Sequence, residues 1–172
     1  MLLETERLQI RYITEDDWQS VKAIEDNFNG SEYSKYDTPH KTDEASIRTR
    51  LSRWDQENKG TDHMFFAVCL QNRVIGYIAF NKREDGYEIG YCFHSDYHGK
   101  GYAKESHLAL INYLHRLGIE KFTAGTALKN FPSVNLLKAL GFQQTGEEKV
   151  SFYQDQKGND IVFDGGIYEL IL

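Results

Sequence analysis

The chain has 172 residues, a length that suits one folded domain with a sizeable core, and we expect a single domain over residues 1–172. A hydrophobic content of 40%, with 11 Tyr and 10 Phe, is typical of a folded protein and excludes a disordered one. The formal net charge of −6 argues against a nucleic-acid partner, which would need a basic surface, and is compatible with a cationic substrate or with solubility alone.

The first part of the chain predicts a strand and two helices. Arg7–Ile13 alternates apolar and polar residues, as a half-buried strand does. Thr14, followed by three acidic residues, is a typical cap for a first helix. A polar loop around Pro39 follows, and a second helix is expected to open at Thr42 and to stop near Gly60.

The middle of the chain predicts three strands and a long helix. The strands are expected at residues 63–70, 73–81 and 86–93, with a two-residue turn between the first two. From Gly101 the apolar residues recur at helical spacing until Gly118 ends the run.

The last part predicts a strand, a short helix and two further strands. Residues 121–128 form the strand, and the helix has Asn130 as its cap and Gly141 as its stop. The closing strands are expected at 146–153 and 161–172. The whole order, β-α-α-β-β-β-α-β-α-β-β, indicates a mixed α/β sheet without internal repeats.

Composition and the N-terminus also predict a location. The opening MLLETERLQI is charged and lacks the apolar core of a signal peptide, and no apolar run is long enough to span a bilayer. Cys69 and Cys92 each lie inside an apolar run, which fits a reducing compartment better than a disulfide framework. We therefore expect a cytoplasmic protein without a membrane partner.

The glycine-containing turn before the long helix, at residues 98–101, has several interpretations. A Walker loop would need a hydroxyl residue directly after Lys100, where Gly101 stands. A Rossmann turn would need a third glycine and a place near the start of a βαβ unit. Two readings remain: a plain strand-to-helix turn, and a pyrophosphate-binding turn at a helix N-terminus with small residues at Gly99, Gly101 and Ala103.

The stretch EIGYCFHSDYHGKGYAKES resembles the central motif of the GNAT acetyltransferases, Gln/Arg-x-x-Gly-x-Gly/Ala, with His98 at the position where the family usually has Gln or Arg. ETERLQIRYITEDD is similar to the opening of the branch that acetylates ribosomal-protein N-termini, the Rim type. NFPSVNLLKALGFQQTGE resembles the Asn-x-x-Ser…Lys-x-x-Gly-Phe segment of that branch. These motifs occur in the family's order and cover nearly the whole chain.

The resemblance implies an α/β (α+β) fold with a mixed, mostly antiparallel sheet of about seven strands, splayed in the middle and flanked by about four helices. It implies acetyl-coenzyme A as the donor, with its pantetheine arm along the strand before the glycine turn and its pyrophosphate on the turn and the first helical residues. The cofactor-binding residues implied in this way are Tyr91, Cys92, Phe93, His98, Gly99, Lys100, Gly101, Tyr102, Ala103, Lys104, Asn130 and Ser133.

Two residues are candidates for catalysis. Glu88 resembles the base of the histone-acetylating branch, although an exposed strand carboxylate is an equal reading. The family's usual acid is a tyrosine at the position of Leu137, so the resemblance to the Rim branch points to Ser133, for which helix capping is the rival role. A backbone amide at Cys92 or its neighbour is expected to face the thioester oxygen, and Cys92 as a nucleophile is a rival reading.

No metal is expected, because His94 and His98 lack a third fixed ligand. Tyr33, Tyr36 and Trp54 could line an acceptor pocket or pack in the core. The leading hypothesis is an N-acetyltransferase acting on a protein or peptide N-terminal α-amine, with a ribosomal protein as one candidate acceptor. The alternatives are acetylation of a small amine, such as a polyamine or aminoglycoside, and a catalytically silent acyl-coenzyme A binding module. The sequence leaves the oligomeric state open.

Overall fold

The structure, a computed structural model, describes residues 2–172, and in it Leu2 is described by its backbone alone. Within that range the strands are β1 (Leu2–Glu4), β2 (Gln9–Tyr12), β3 (His63–Leu70), β4 (Arg73–Arg83), β5 (Gly86–Phe93), β6 (Lys121–Ala127), β7 (Gln143–Gln154) and β8 (Asp160–Ile171). The α-helices are α1 (Trp18–Asn29), α2 (Glu44–Glu57), α3 (Tyr102–Arg116) and α4 (Phe131–Ala139). None of these helices is long and apolar enough to cross a membrane.

All these strands belong to one sheet in the order β1-β2-β3-β4-β5-β6-β8-β7. Every neighbouring pair is antiparallel except β5 and β6, which run parallel and pair only at Tyr87↔Phe122 and Glu88↔Thr123. Beyond Glu88 the two strands diverge, which opens a gap in the middle of the sheet. The mixed, mostly antiparallel and splayed architecture that the family resemblance implied is therefore confirmed.

Within residues 2–172 the sheet has eight strands, one more than expected. The additional strand, β1, has three residues and pairs with β2 through Leu3↔Ile10. Three residues are too few for an alternating pattern to be recognised, so this strand is defined by its partner and not by its own sequence.

The two faces of the sheet carry separate cores, because successive strand residues point to opposite sides. On one face, α3 and α4 pack over a cluster that includes Phe66, Phe80 and Phe122, whose rings meet edge to face at 6.0 Å. On the other face, α1 and α2 cover a cluster in which Trp54 stacks on Phe65 at 4.5 Å. The gap between β5 and β6 thus lies between two helical layers.

The starts of the first two helices differ slightly from the prediction. Thr14 caps a short 3-10 turn, Glu15–Asp17, and α1 begins only at Trp18. Asp43, not Thr42, caps α2, because its Oδ1 accepts a hydrogen bond from the Ser46 amide at 2.9 Å. Both residue types are good caps, so the sequence locates each helix start only to within a few residues.

The hairpin of β7 and β8 extends beyond the rest of the sheet. Residues 165–171 of β8 pair with β6, whereas residues 160–164 pair only with β7. The free end of the hairpin reaches the loop between α1 and α2, where Tyr153 Oη donates to the Ser34 carbonyl at 3.2 Å and Tyr36 packs edge-on against Phe163 at 5.1 Å. Distant parts of the chain meet there beside the gap.

Candidate active site

The strand β5 presents free backbone groups along the gap. The His94 amide donates to the Ile75 carbonyl at 3.0 Å, which sets the alternation of the β4–β5 ladder. By that alternation the amide of Cys92 faces β4, whereas the N–H groups of Tyr91 and Phe93 and the C=O group of Tyr91 face the gap, and the Phe93 carbonyl is bonded to the His98 ring. A ligand that runs along the gap can therefore hydrogen-bond to β5 as an added strand would. The sequence predicted an amide at Cys92 or its neighbour toward the thioester. In the structure the amides that face the gap are those of the neighbours, Tyr91 and Phe93.

The predicted glycine turn lies at the wide end of this gap and leads directly into α3. Gly99 has φ +70° and Gly101 has φ +81°, left-handed conformations that only glycine adopts without strain. A Cβ atom at Gly99 would meet no heavy atom of residues 2–172 within 4 Å apart from its chain neighbours, so the turn is open on that side. Tyr102, Ala103 and Lys104 form the first turn of α3, whose leading amides have no helical partner. The turn and helix start can therefore hold an anionic group.

His98 and Lys100 use their side chains to hold the turn in place. His98 Nε2 donates to the Phe93 carbonyl at 2.8 Å, and Lys100 Nζ donates to the Asp96 carbonyl at 2.8 Å. The His98 ring thereby ties the turn to the end of β5. The free amides of the turn at residues 98–101 are backbone groups, so they are present with His98 at the first position as they would be with Gln or Arg.

Arg7, from the segment before β2, holds the turn from the other side, and the sequence analysis did not identify it. Its NH1 donates to the Lys100 carbonyl at 2.9 Å, its Nε donates to Glu105 Oε2 at 2.7 Å, and its guanidinium lies 4.5 Å from the centre of the Tyr102 ring. Burial acts to raise the pKa of Glu105, but hydrogen bonds from Thr5 and Arg7 outweigh it, and the pKa is lowered. Arg7 and Glu105 are 98 positions apart, so only the fold reveals this contact.

Asn130 and Ser133 lie at the start of α4, beside the end of β6. Asn130 caps the helix, and its Oδ1 accepts from the Ser133 amide at 3.4 Å. The Ser133 hydroxyl lies 2.7 Å from the hydroxyl of Tyr91 on β5. Leu137, one turn later, is 1% exposed and belongs to the core, so this position contributes packing and no hydroxyl.

His107 of α3 supports the Tyr91 ring from below. It is fully buried, its Nδ1 donates to the Ala103 carbonyl at 2.7 Å, and its ring meets that of Tyr91 edge-on at 4.7 Å. Burial lowers the pKa of His107 to about 4, so the ring is neutral at physiological pH. We call β5, the glycine turn, α3 and the start of α4 the donor side of the site.

Glu88 lies at the narrow end of the gap. Its side chain is 39% exposed and forms an ion pair with Arg83 of β4. It shares a face of β5 with Cys92, as the strand parity predicted, and that face is covered by α1 and α2. The carboxylate is therefore accessible to solvent.

The same face carries a buried charged network that the sequence analysis did not identify. Glu25 of α1 is 1% exposed, forms an ion pair with Arg50 of α2, and accepts a hydrogen bond from Tyr77 Oη at 3.1 Å. His40, in the loop between the helices, lies between two carboxylates, with Nδ1 3.6 Å from Glu25 and Nε2 3.6 Å from Asp37. We call this loop, the hairpin end and the Glu88 face the acceptor side of the site.

The pKa values of His40 and Cys92 on the acceptor side are both raised, which favours the charged form of the imidazole and the neutral form of the thiol. The carboxylate of Asp37 raises the pKa of His40 against the opposing effect of burial, and Glu25 adds to that rise. Burial raises the pKa of Cys92 to about 12, with a further contribution from Glu25. A thiol with that pKa is almost entirely protonated at neutral pH, which argues against the reading of Cys92 as a nucleophile.

The remaining predicted residues divide between core and site. Trp54 is a core residue, whereas Tyr36 packs against the hairpin end on the acceptor side. His94 Nδ1 accepts from the Asp96 amide at 3.3 Å. In the chain from residue 2 onward no three His, Cys, Asp or Glu side chains are grouped as metal ligands.

Comparison with known proteins places these features in a family. Residues 7–143 match the model of the acetyltransferase (GNAT) domain. An uncharacterized N-acetyltransferase of Bacillus subtilis (strain 168), YnaD, is 30% identical over 151 residues, which cover 85% of each chain.

Solved structures share the fold at low sequence identity. One is an acetyl transferase from Salmonella typhimurium that modifies the N-terminal serine of 50S ribosomal subunit protein L7/L12; it has a TM-score of 0.87 and 19% identity, covering 100% of this chain and 99% of that one. Another is RimL, a ribosomal L7/L12 α-N-protein acetyltransferase, in complex with coenzyme A; it has a TM-score of 0.85 and 18% identity, covering 100% of this chain and 98% of that one.

Proposed function

The chain belongs to the GNAT acetyltransferase family, and is thus an acyltransferase; from that premise we propose that it transfers the acetyl group of acetyl-coenzyme A to the N-terminal α-amine of a protein or peptide. The observation that carries the proposal is the open glycine turn, with Gly99 and Gly101 both left-handed, at the wide end of the gap between β5 and β6. That arrangement fits a donor with a pyrophosphate at one end and an extended, amide-containing arm.

The donor side has a group for each part of this substrate. The amides of the turn and of the first residues of α3 would bind the pyrophosphate. The gap-facing backbone of Tyr91 and Phe93 would bind the amides of the pantetheine arm, which leads toward Ser133. The fold neighbour RimL has coenzyme A bound, which supports the same role here.

Residues on both sides of the gap serve the transfer itself. The lone pair of the neutral amine forms the new C–N bond, the C–S bond breaks, and its electron pair leaves with the sulfur. The amine proton passes to Glu88, directly or through water, and then to solvent. A gap-facing amide of β5 stabilises the charge that develops on the carbonyl oxygen, an effect worth about 3 kcal/mol for one well-placed donor. The Ser133 hydroxyl donates a hydrogen bond to the departing thiolate, which takes its proton from solvent.

The acceptor side supports an amine at the end of a chain. Glu88 and Asp37 are carboxylates with exposed side chains, which favour the approach of a cationic amine. The loop between α1 and α2 and the hairpin end contact each other beside the gap, so together they border the approach to it, and an N-terminus is a narrow group that suits a bordered approach. Fold neighbours that act on a ribosomal-protein N-terminus support this class of acceptor.

The proposal is tested by steady-state turnover of acetyl-coenzyme A with peptides that begin with Ser, Ala, Thr or Met. Each peptide contains one lysine and is compared with a version whose α-amine is already acetylated. We expect mass spectrometry to find one added acetyl group on the free α-amine and none on the blocked peptide. Acetylation of spermidine or kanamycin instead would indicate a small-amine enzyme. Binding of coenzyme A without turnover of any amine would indicate a silent binding module.

A further inference from the structure

The hydrogen bond between Tyr91 and Ser133 has a direction that matters for catalysis. The two hydroxyls lie 2.7 Å apart, a normal length for a bond between hydroxyl oxygens. Within residues 2–172 this is the only side-chain hydrogen bond recorded for either hydroxyl. One hydroxyl must donate and the other accept, so one proton remains free to point elsewhere.

The distance alone allows either hydroxyl of this pair to donate, and acidity favours the phenol as the donor. A phenol is a stronger acid than an aliphatic alcohol and is therefore the better hydrogen-bond donor. The ring is also held in place, because His107 meets it edge-on and His107 is itself fixed by its bond to the Ala103 carbonyl. With the phenol donating, the Ser133 oxygen accepts from Tyr91 and the Ser133 proton is directed away from it.

The pair also joins the two sides of the gap. Tyr91 belongs to β5, whereas Ser133 belongs to the first turn of α4, directly after the end of β6. A hydroxyl in a first helical turn often bonds to its own helix, but no such bond is recorded for the Ser133 hydroxyl in the described part of the chain. The hydrogen bond from Tyr91 therefore fixes the orientation of the Ser133 hydroxyl, which would otherwise be free to rotate.

We propose that Tyr91 is a positioning residue for acetyl transfer: its hydroxyl fixes the Ser133 hydroxyl so that the serine proton points to the sulfur of coenzyme A. This inference rests on the proposed function and deepens it. The tyrosine hydroxyl that the family usually supplies from α4 is absent, because Leu137 is a core residue, and here a tyrosine of β5 acts through Ser133 instead. The bonds that form and break are those of the acetyl transfer described above, and Tyr91 keeps its proton throughout.

The first experiment compares Tyr91→Phe with Tyr87→Phe. Tyr87 is a matched control, because it lies on the same strand and the same face, and its hydroxyl donates to the Thr61 carbonyl at 2.8 Å. We expect Tyr91→Phe to lower kcat about three- to tenfold, as the loss of one hydrogen bond allows, with KM for acetyl-coenzyme A within about twofold. Tyr87→Phe should keep the wild-type kcat. A wild-type kcat for Tyr91→Phe would overturn the inference.

A double variant separates positioning from a merely structural role. Ser133→Ala alone should lower kcat by about tenfold or more. Because Tyr91 acts only through Ser133, adding Tyr91→Phe to Ser133→Ala should cost nothing further. If the two effects multiply, Tyr91 acts independently of Ser133 and the inference is wrong.

A second measurement needs no amine acceptor. The pKa of the thiol of bound coenzyme A is followed by the ultraviolet absorbance of its thiolate during a pH titration. A hydroxyl directed at the sulfur stabilises the thiolate, so Tyr91→Phe should raise that pKa by about 0.5 to 1 relative to wild type, and Tyr87→Phe should not. An equal thiol pKa in Tyr91→Phe and wild type contradicts this inference alone. Failure of the wild-type protein to bind coenzyme A contradicts the proposed function as well.

Discussion

The donor side and the acceptor side of the gap are built in different ways. The donor side is formed largely by one continuous stretch, residues 91–104, whose conformation depends on glycines at two left-handed positions. The acceptor side brings together Glu25, His40, Arg50 and Tyr77 from two helices, a loop and a strand. Backbone amides of a turn bind the same phosphate whatever the neighbouring side chains are, whereas the shape of an acceptor pocket depends on every contact between distant segments.

This difference explains how one fold can keep its donor and change its acceptor. A substitution in the network of Glu25 should alter how α1, α2 and the intervening loop pack, whereas the side-chain hydrogen bonds that hold the turn at residues 98–101 come from Arg7, His98 and Lys100. The two sides meet along β5, where Tyr91 faces the donor side and Glu88 the acceptor side, and again where Asn27 of α1 exchanges two hydrogen bonds with Ser95. Variants on either side should therefore have separable effects on the two substrates, and the following experiments test that separation.

The largest effect is expected for Glu88→Gln, which removes the proposed base from the acceptor side. The rate should fall by about 100-fold or more at low pH, where free amine is scarce, and by less near the pKa of the α-amine, about 7.7 to 8.0. Asp85→Asn is the matched control, because Asp85 is an exposed carboxylate on the same hairpin and pairs with Lys121 at 2.7 Å. A pH–rate profile for each variant measures the effect, and equal profiles for Glu88→Gln and wild type would make Glu88 a surface carboxylate.

The next effect is expected for Gly101→Val on the donor side. Valine at φ +81° is strained, and its Cβ would lie 3.3 Å from the Arg7 guanidinium, so the turn must change shape. Strain of this kind costs about 1–3 kcal/mol, and we expect the Kd for coenzyme A to rise about 50-fold in isothermal titration. Gly118→Val is the control, because Gly118 has φ +89° in open space at the far end of α3. Unchanged affinity in folded Gly101→Val would refute the placement of the pyrophosphate.

A smaller effect on the same side is expected for Arg7→Ala, which removes the clamp on the turn. KM for acetyl-coenzyme A should rise about three- to tenfold, whereas kcat/KM for acetyl-pantetheine, which lacks the pyrophosphate, should not change. Arg11→Ala is the control. Arg11 lies four residues after Arg7, in β2, and its guanidinium pairs with Asp17 at 2.7 Å and not with the turn. Equal losses with both donors would show that Arg7 supports the fold in general and not the turn.

The smallest effect is expected for His40→Gln and concerns stability. The pKa of His40 is raised in the folded chain by Asp37 and Glu25, against Arg50, so its contribution to stability is fully present below the unfolded pKa of about 6.5 and is lost as pH rises through the folded value. In urea unfolding, the free energy of unfolding of wild type should exceed that of His40→Gln by about 0.5–1 kcal/mol at pH 5.5 and by less at pH 9. A difference independent of pH would assign His40 a packing role only.

Several elements could be predicted from the sequence because they depend on local interactions. The long helix between Gly101 and Gly118 and the three strands before it follow from periodicity and glycine placement, and the structure has them within a few residues. The short strand Leu2–Glu4 could not be predicted, because three residues carry no pattern and the strand exists through its pairing with β2. The start of α2 was displaced by one residue because Thr42 and Asp43 are both competent caps.

The site divides in the same way. By itself the sequence determined the glycine turn, the cap at Asn130, the shared face of Glu88 and Cys92, and the family, because left-handed turns, helix starts and strand parity depend on neighbouring residues. Only the tertiary structure decided that Arg7 holds the turn, that the hydroxyl of Tyr91 reaches Ser133, and that Glu25, Arg50 and His40 form one buried network. Those contacts join residues that are 15 to 93 positions apart. Their geometry is set by the packing of helices on both faces of a splayed sheet, which no local pattern encodes.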